Sequence, residues 1–205
     1  MASTVDHWDE IYSTRPTSDV SWFQREPYVS LRLIQQNSVA TSSIIDVGAG
    51  ASFLADRLMA LNYVDVTLLD VSQAALNEVL VRIGDSAGRL KCVVGDVTDW
   101  RPSRRFDLWH DRAVFHFLTE PEPRARYVEN ATKAIRPGGT LILGVFAEDG
   151  PTHCSGLPVR RYSAEDLQKV FSESFTLKSH EREEHLTPTG AIQSFTWVAL
   201  SRKEN

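Results

Sequence analysis

The chain has 205 residues, of which 42% are hydrophobic and 24% are charged, and this balance predicts a single folded domain over residues 1–205. Its 22 basic and 27 acidic residues leave a formal net charge of −5, so we expect neither nucleic acid nor a membrane as a partner. Two cysteines without metal-site spacing, and no apolar leader or spanning run, predict a metal-free cytoplasmic protein.

The first 42 residues differ from the rest because they are rich in aromatic side chains. They contain Trp8, Tyr12, Trp22 and Phe23, and Pro27 opens a predicted helix that runs to about residue 36. We expect residues 1–42 to form a lid or cap over one end of the core built by residues 43–205. A helix that only covers an edge of the sheet is an equally good interpretation.

From residue 43 onward, short apolar runs alternate with helical patterns. The predicted strands cover 44–47, 66–69, 90–94, 106–109 and 140–146, and the predicted helices between them cover 52–61, 72–83 and 124–134. A turn at Pro137-Gly138-Gly139 precedes the fifth strand. Strands joined by helices favour a parallel sheet with right-handed crossovers and helices on both faces.

The pattern changes after a predicted helix over 164–171. Two further strands follow, at 175–179 and 195–200, with a polar stretch containing Thr187-Pro188-Thr189-Gly190 between them. We expect this last pair to be antiparallel. The whole therefore predicts an α/β three-layer sandwich around a mostly parallel seven-stranded sheet with an antiparallel last strand.

The end of the first strand has the features of a ligand-binding loop. It reads Asp46-Val47-Gly48-Ala49-Gly50, and glycine lets a ligand approach the backbone closely while the following helix N-terminus offers free N–H groups to an anion. A dinucleotide loop needs a third small residue where this chain has Phe53. The loop therefore suits adenosine with a small anionic end, as in S-adenosylmethionine, better than a pyrophosphate.

The next two strands also end in acidic residues. Asp70 closes the second strand about 20 residues after the glycine loop, the spacing at which a carboxylate can bridge ribose hydroxyls. Asp96 closes the third strand, where it could accept a hydrogen bond from an exocyclic amine. Simple capping of the following helices is the alternative interpretation of both residues.

The motifs IIDVGAG, VTLLDVS, GDVTDW, FDLWHDRAVFHFL and IRPGGTLILGVF occur in the order of the class I S-adenosylmethionine-dependent methyltransferases, which the chain resembles. The resemblance implies a Rossmann-like fold and that cofactor. It places the methionine end against Asp46, Gly48, Ala49 and Gly50, the ribose against Asp70 and Val71, and the adenine against Asp96 and Val97. Ser52 departs from the family, which has glycine there.

Other segments resemble narrower branches of the same family. HWDEIY, WFQ and FHFL look like a bacterial branch whose acceptor is unassigned, and the layout is similar to lysine methyltransferases that act on citrate synthase and on elongation factor.

Methyl transfer from a sulfonium is an in-line displacement that needs alignment more than acid–base help. If a base is used, the candidates are His110, Asp111 and His116, near the end of the fourth strand. Asp111 and Arg112 could instead contact the methionine end of the cofactor, and His116 could be an ordinary buried histidine.

The acceptor site is expected between the aromatic N-terminal segment and the Gly/Pro-rich loop 148–158. Trp22, Phe23, His153 and Cys154 are the predicted lining residues, with Cys154 lining or structural rather than nucleophilic. His180 and His185 are predicted surface residues and not metal ligands. A closed site favours a small-molecule acceptor; a protein lysine and a non-catalytic cofactor-binding scaffold remain alternatives.

Overall fold

The computed structural model describes residues 4–204 as one main sheet with helices on both of its faces. The helices are α1 (Thr4–Thr14), α2 (Tyr28–Asn37), α3 (Leu54–Ala60), α4 (Gln73–Ile83), α5 (Pro121–Ala134) and α6 (Ala164–Phe171). The main-sheet strands are β1 (Ser43–Val47), β2 (Asp65–Asp70), β3 (Leu90–Val94), β4 (Phe106–Arg112), β5 (Ile135–Phe146), β8 (Phe175–Leu186) and β9 (Ile192–Arg202). Two short strands, β6 (His153–Cys154) and β7 (Leu157–Pro158), form a separate hairpin.

The sheet has the order β3-β2-β1-β4-β5-β9-β8. The first five strands in that order are parallel, while β9 runs antiparallel to both β5 and β8. This confirms the predicted fold class. The carboxyl ends of β1, β2, β3 and β4 meet at one edge, where ligands bind in open parallel sheets.

Burial on both faces explains the continuous apolar runs of the central strands. Ile44 and Ile45 are adjacent on β1, and both are completely buried, but Ile44 packs with α2, α3 and α4 while Ile45 packs with α5 and α6. Successive side chains of a strand point to opposite faces, so a strand covered on both sides needs apolar residues at every position.

The last two strands are longer than predicted. The polar stretch after residue 179 is not a loop but the second half of β8, which pairs with β9 up to the contact between Leu186 and Ile192. Because β8 lies at the edge of the sheet, much of its surface is exposed and a polar sequence is compatible with a strand. The predicted turn at 137–139 is likewise an irregular part of β5.

The N-terminal segment divides into two parts. Leu33 and Ile34 on α2 are buried in the core, as expected for a helix that covers the sheet. The helix α1 lies instead near the carboxyl edge, where Asp9 Oδ1 accepts a hydrogen bond of 2.5 Å from the hydroxyl of Ser72 at the start of α4. Among residues 4–204, no helix combines the length and apolarity needed to cross a bilayer.

A buried hydrogen-bond network fixes the turn that follows β4. Asp111 is completely buried, and its carboxylate accepts hydrogen bonds from the amides of Val114 (2.9 Å) and Phe115 (3.1 Å) and from the hydroxyl of Tyr127 (2.5 Å). Burial raises the pKa of Asp111 to about 6. The indole N–H of Trp109 donates in turn to the Tyr127 oxygen at 2.9 Å.

We expect Tyr127→Phe to lower the free energy of unfolding by about 1.5 to 3 kcal/mol, because it removes a hydrogen bond to a buried carboxylate and leaves the Trp109 N–H without its acceptor. Urea denaturation measures the change. Tyr28→Phe is the matched control, since Tyr28 is 74% exposed, and its effect should stay within about 0.5 kcal/mol. Equal effects of the two substitutions would contradict a structural role for the network.

Candidate cofactor and acceptor site

The loop after β1 can contain only glycine at two positions. Gly48 and Gly50 have φ values of +66° and +52°, in the left-handed region that other residues rarely adopt. A Cβ on Gly48 would lie 1.9 Å from Val114 Cγ2, and one on Gly50 would lie 2.3 Å from the Tyr12 hydroxyl. The loop backbone is therefore in direct contact with the turn after β4 on one side and with α1 on the other.

The turn after β4 is strained at a residue that is not glycine. Ala113 has φ +72°, and its amide donates to the carbonyl of Gly144 at 2.8 Å. A left-handed conformation at alanine is unfavourable by about 1 to 2 kcal/mol, and such strain is concentrated at functional sites. Here the strained residue, Ala113, directly precedes Val114, whose side chain packs against Gly48.

Asp70 connects the end of β2 to the glycine loop. Its Oδ2 accepts a hydrogen bond from the Gly50 amide at 2.7 Å, and its Oδ1 accepts one from the Ser72 amide at 2.8 Å. Burial raises the pKa of Asp70 to about 6, although these two amides act in the opposite direction. The N-cap of α4 is Ser72, whose hydroxyl accepts from the Ala75 amide. Helix capping alone therefore does not explain Asp70.

Asp96 ends the next strand along the chain in a similar way. Its Oδ1 accepts hydrogen bonds from the amide and the hydroxyl of Thr98, at 2.7 and 2.8 Å. One oxygen therefore shapes the turn after β3, and the other, Oδ2, accepts no hydrogen bond from residues 4–204. Val97 beside it is 6% exposed.

A cavity of about 320 Å³ lies at these strand ends. One half is lined by strand-end residues and the other half by aromatic and apolar groups from elsewhere in the chain. The first group comprises Val47, Gly48, Leu69, Asp70, Val71, Gly95, Asp96 and Val97, and the second comprises Trp8, Trp22, Phe117, Leu118, Cys154, Leu157 and Pro158. Arg112, Ala113, Val114 and Thr119 complete the lining.

A smaller cavity of about 50 Å³ adjoins it at the glycine loop. Asp46 and His110 line it, and the His110 ring is held from both sides, with Nδ1 at 2.7 Å from Asp46 Oδ1 and Nε2 at 2.9 Å from Ser30 Oγ. Because both ring nitrogens are engaged and the ring is 2% exposed, the prediction that His110 acts as a base does not fit this geometry.

The other two predicted bases are also unsuitable. Asp111 lies outside both cavities, and its carboxylate is occupied by the turn after β4, so neither a catalytic role nor a cofactor contact fits its position. His116 is completely buried, and its Nδ1 lies 3.4 Å from the amide of Phe146. Burial, helped by the nearby charge of Arg112, lowers the pKa of His116 to about 3, so this ring stays neutral near pH 7.

The predicted acceptor residues fall into three groups. Trp22 and Cys154 line the larger cavity, and burial raises the pKa of the Cys154 thiol to about 12, which excludes an activated thiolate. Phe23 lines the smaller cavity. His153 is exposed and lines neither cavity, so the prediction for it is wrong.

His185 was predicted to lie on the surface, and this is also wrong. It is 5% exposed, and its Nε2 lies 2.8 Å from the carbonyl of Ser21. Among the neighbouring residues of β8, Glu183 accepts a hydrogen bond from Gln24, and Glu181 pairs with Arg32. His180 is exposed, as predicted. Alternate side chains of β8 therefore hold the segment that follows α1.

Sequence reasoning did not assign several lining residues. Trp8 and Phe117 both line the larger cavity and are in edge-to-face contact, with ring centroids 5.4 Å apart. The ring centroids of Trp8 and Trp22 are 5.6 Å apart. The aromatic density of the N-terminal segment was the available signal for Trp8. Ser30, which contacts His110, carries no signal at all, because only the packing of α2 on the sheet brings it there.

A glycine loop is followed here by two acidic strand ends, around a cavity with apolar Val71 and Val97. This arrangement is typical of α/β proteins that bind a nucleoside with a small charged extension. A family model described as a methyltransferase domain matches residues 44–139, which span β1 to the irregular part of β5.

Known proteins with similar sequences are also methyltransferases. The chain is 22% identical over 171 residues to malonyl-[acyl-carrier protein] O-methyltransferase 2 of Ilyobacter polytropus, covering 78% of this chain but only 64% of that relative. It is 27% identical over 195 residues to EEF1A lysine methyltransferase 2 of Danio rerio, covering 85% of this chain and 76% of that protein.

The fold matches solved structures over nearly the whole chain. A protein studied for the conversion of a disulfide bond into a thioacetal group during echinomycin biosynthesis superposes with a TM-score of 0.76 at 22% identity, covering 98% of this chain and 94% of that one. The chain therefore has the fold of these structures, and its residues 44–139 match a methyltransferase domain. Its cofactor is S-adenosylmethionine.

We expect Asp70→Asn to weaken cofactor binding by about 1.5 to 3 kcal/mol, because a neutral amide replaces a carboxylate that can accept hydrogen bonds from the ribose. Calorimetric titration with S-adenosylmethionine measures the change, and circular dichroism checks the fold. Asp85→Asn is the matched control at an exposed position. An unchanged dissociation constant in a folded Asp70→Asn variant would show that Asp70 only stabilises the glycine loop and does not bind the ribose.

Cofactor affinity should also fall as the pH is lowered through about 6. The pKa of Asp70 is about 6, raised by burial and by the nearby carboxylate of Asp46. Only the ionised carboxylate can accept two hydrogen bonds without donating a proton, so protonation below that pKa opposes binding by up to about tenfold per pH unit. Titrations between pH 5 and 8 should show a plateau above pH 7, and Asp70→Asn should flatten the profile.

Proposed function

We propose that this chain transfers the methyl group of S-adenosylmethionine to a small-molecule acceptor. The observation that supports this most directly is the size and the apolar lining of the larger cavity, of about 320 Å³. Trp8 and Trp22 contribute to its lining, as do Cys154, Leu157 and Pro158 of the β6–β7 hairpin. A concave, mainly apolar pocket of this kind suits a small molecule.

The donor set fits the cofactor at each of its parts. Asp70 would hold the ribose, Asp96 and Val97 the adenine, and the loop of Gly48 to Gly50 the methionine end. The cofactor supplies an activated methyl group on a sulfonium. The chain supplies orientation and a mainly apolar cavity, and orientation can provide much of the rate acceleration for an in-line displacement.

The charges of the cavity oppose a lysine acceptor. Asp70 and Asp96 are the only acidic side chains in the lining described, and both lie on the cofactor side. A lysine must lose a proton before it can accept a methyl group, and it is cationic near pH 7. The acceptor side offers it Arg112, which repels it, and no carboxylate. Relatives are named for both kinds of acceptor, thiocyanate as a small molecule and a lysine of EEF1A as a protein side chain.

Labelled cofactor separates the possible functions. After incubation of the protein with cell extract and tritium-labelled S-adenosylmethionine, we expect label in the small-molecule fraction, together with S-adenosylhomocysteine. Label in a protein band would contradict a small-molecule acceptor. Cofactor binding without release of S-adenosylhomocysteine would favour a non-catalytic scaffold.

Truncating a side chain that lines the cavity should affect methyl transfer more than cofactor binding. We expect Trp22→Ala to lower kcat/KM at least about tenfold, because water enters and the acceptor loses a buried aromatic contact. The dissociation constant of S-adenosylmethionine should change less than about threefold. Tyr28→Ala, an exposed aromatic residue of the same N-terminal segment, is the control and should leave both quantities unchanged.

A further inference from the structure

The larger cavity contains one basic residue whose hydrogen-bonding capacity is largely unused. Arg112 donates from Nη1 to the carbonyl of Trp22 at 3.0 Å, whereas its Nε and Nη2 are both buried and have no hydrogen-bond partner among residues 4–204. A buried guanidinium with two free donors is unfavourable unless another group pairs with it.

The carboxylate whose charge acts most strongly on the pKa of Arg112 is that of Glu183, and it already has other partners. It accepts hydrogen bonds from the side-chain amide of Gln24 at 2.7 Å and from the indole of Trp197 at 2.8 Å. No carboxylate of the described part of the chain lies within ion-pair distance of Arg112. The two free donors, Nε and Nη2, form the edge of the guanidinium that binds a carboxylate with two parallel hydrogen bonds.

The guanidinium lies where the two cavities meet, because Arg112 lines the smaller one with Gly48 and the larger one with Cys154. Its Cζ is 4.7 Å from the centroid of the Phe195 ring, on β9, two strands beyond β4. The strands that carry the cofactor residues lie in the opposite direction along the sheet, and neighbouring strands are about 4.8 Å apart. This position separates the charge of Arg112 from the ribose and adenine residues.

No group on this side of the cavity is suited to remove a proton from the acceptor. His116 is buried and neutral, the Cys154 thiol is protonated, and His110 is held between two partners at the glycine loop. An acceptor atom that is already deprotonated in solution near pH 7 needs no such group. A carboxylate meets this requirement because its ordinary pKa is about 4.

We propose that the acceptor is a small carboxylic acid, that its carboxylate pairs with Arg112 through Nε and Nη2, and that one carboxylate oxygen receives the methyl group. This rests on the proposed function. The oxygen supplies the electron pair of the new C–O bond, and the sulfur of the donor keeps the pair of the C–S bond that breaks. No proton is exchanged, and an anion and a sulfonium become a neutral ester and a thioether. A dry cavity favours such a loss of charge.

Binding to the protein loaded with S-adenosylhomocysteine tests the recognition step. Acetate, hexanoate and phenylacetate serve as probes, the corresponding primary amides as uncharged controls, and the fluorescence of Trp8 and Trp22 as the signal. We expect at least one carboxylate to bind saturably, its amide to bind at least about tenfold more weakly, and Arg112→Gln to remove this preference. Arg105→Gln, at an exposed position next to the opposite end of β4, should keep it.

Arg112 could bind either the carboxylate of the acceptor or the carboxylate of the cofactor itself. The affinity for S-adenosylmethionine, measured in the same variants, distinguishes these two possibilities. If Arg112→Gln weakens the cofactor as strongly as the probes, Arg112 binds the cofactor's own carboxylate and the proposal is wrong. It is also wrong if no probe binds, or if acids and amides bind equally. If wild type itself fails to bind S-adenosylmethionine, the proposed function fails instead. If Arg112→Gln does not fold, Arg112→Lys is used in its place. Lysine keeps the positive charge but cannot make the two parallel hydrogen bonds of the Nε and Nη2 edge.

The transfer step has a separate readout. A small-molecule extract is divided by anion exchange and incubated with wild type and tritium-labelled S-adenosylmethionine. We expect label from the retained fraction to appear in products that are less strongly retained and that release label as methanol in mild base, as esters do. Label that arises only from the unretained fraction, or that resists base, would overturn O-methylation of a carboxylate.

Discussion

The hydrogen bond from the Gly50 amide to the Asp70 carboxylate is the contact on which the site depends. It joins the loop after β1 to the end of β2 at 2.7 Å, and Val114 and Tyr12 pack against the same loop. The glycine loop, the carboxylate of Asp70, the strained turn after β4 and the N-terminal helix therefore share one small volume. A change in any of them shifts the others, because packed interiors leave little room for adjustment.

The core of the fold could be predicted from the sequence because both faces of the central strands are covered. Runs such as Ile44 to Val47 and Leu141 to Val145 have few alternatives to a buried parallel strand. The edge strand could not be predicted to its full length, since residues 180–186 are mostly polar and a half-exposed strand resembles a loop. The pattern of apolar residues predicts secondary structure only where side chains are buried, and most side chains of this half of β8 are exposed.

The cofactor half of the site could be predicted better than the acceptor half for a similar reason. Asp70 and Asp96 follow their strands directly, so local sequence places them at the edge of the sheet. His110, Asp111 and His116 also lie near a strand end, but three-dimensional partners occupy or bury each of them. Proximity in sequence to a site does not reveal which way a side chain is turned. Of these four residues, Arg112 keeps two unpartnered nitrogens, Nε and Nη2, and His116 keeps one, Nε2.

The attachment of the N-terminal segment to β8 affects how the chain must be assembled during translation. The carbonyl of Ser21 is hydrogen-bonded to the ring of His185, which lies 164 positions later in the chain. At a synthesis rate of about 5 to 20 residues per second, the ribosome delivers that partner roughly 8 to 33 s after Ser21 has been made. Trp8 and Trp22 cannot be enclosed during this interval, so the nascent chain displays the aromatic wall of its own pocket to the cell until the sheet is nearly complete.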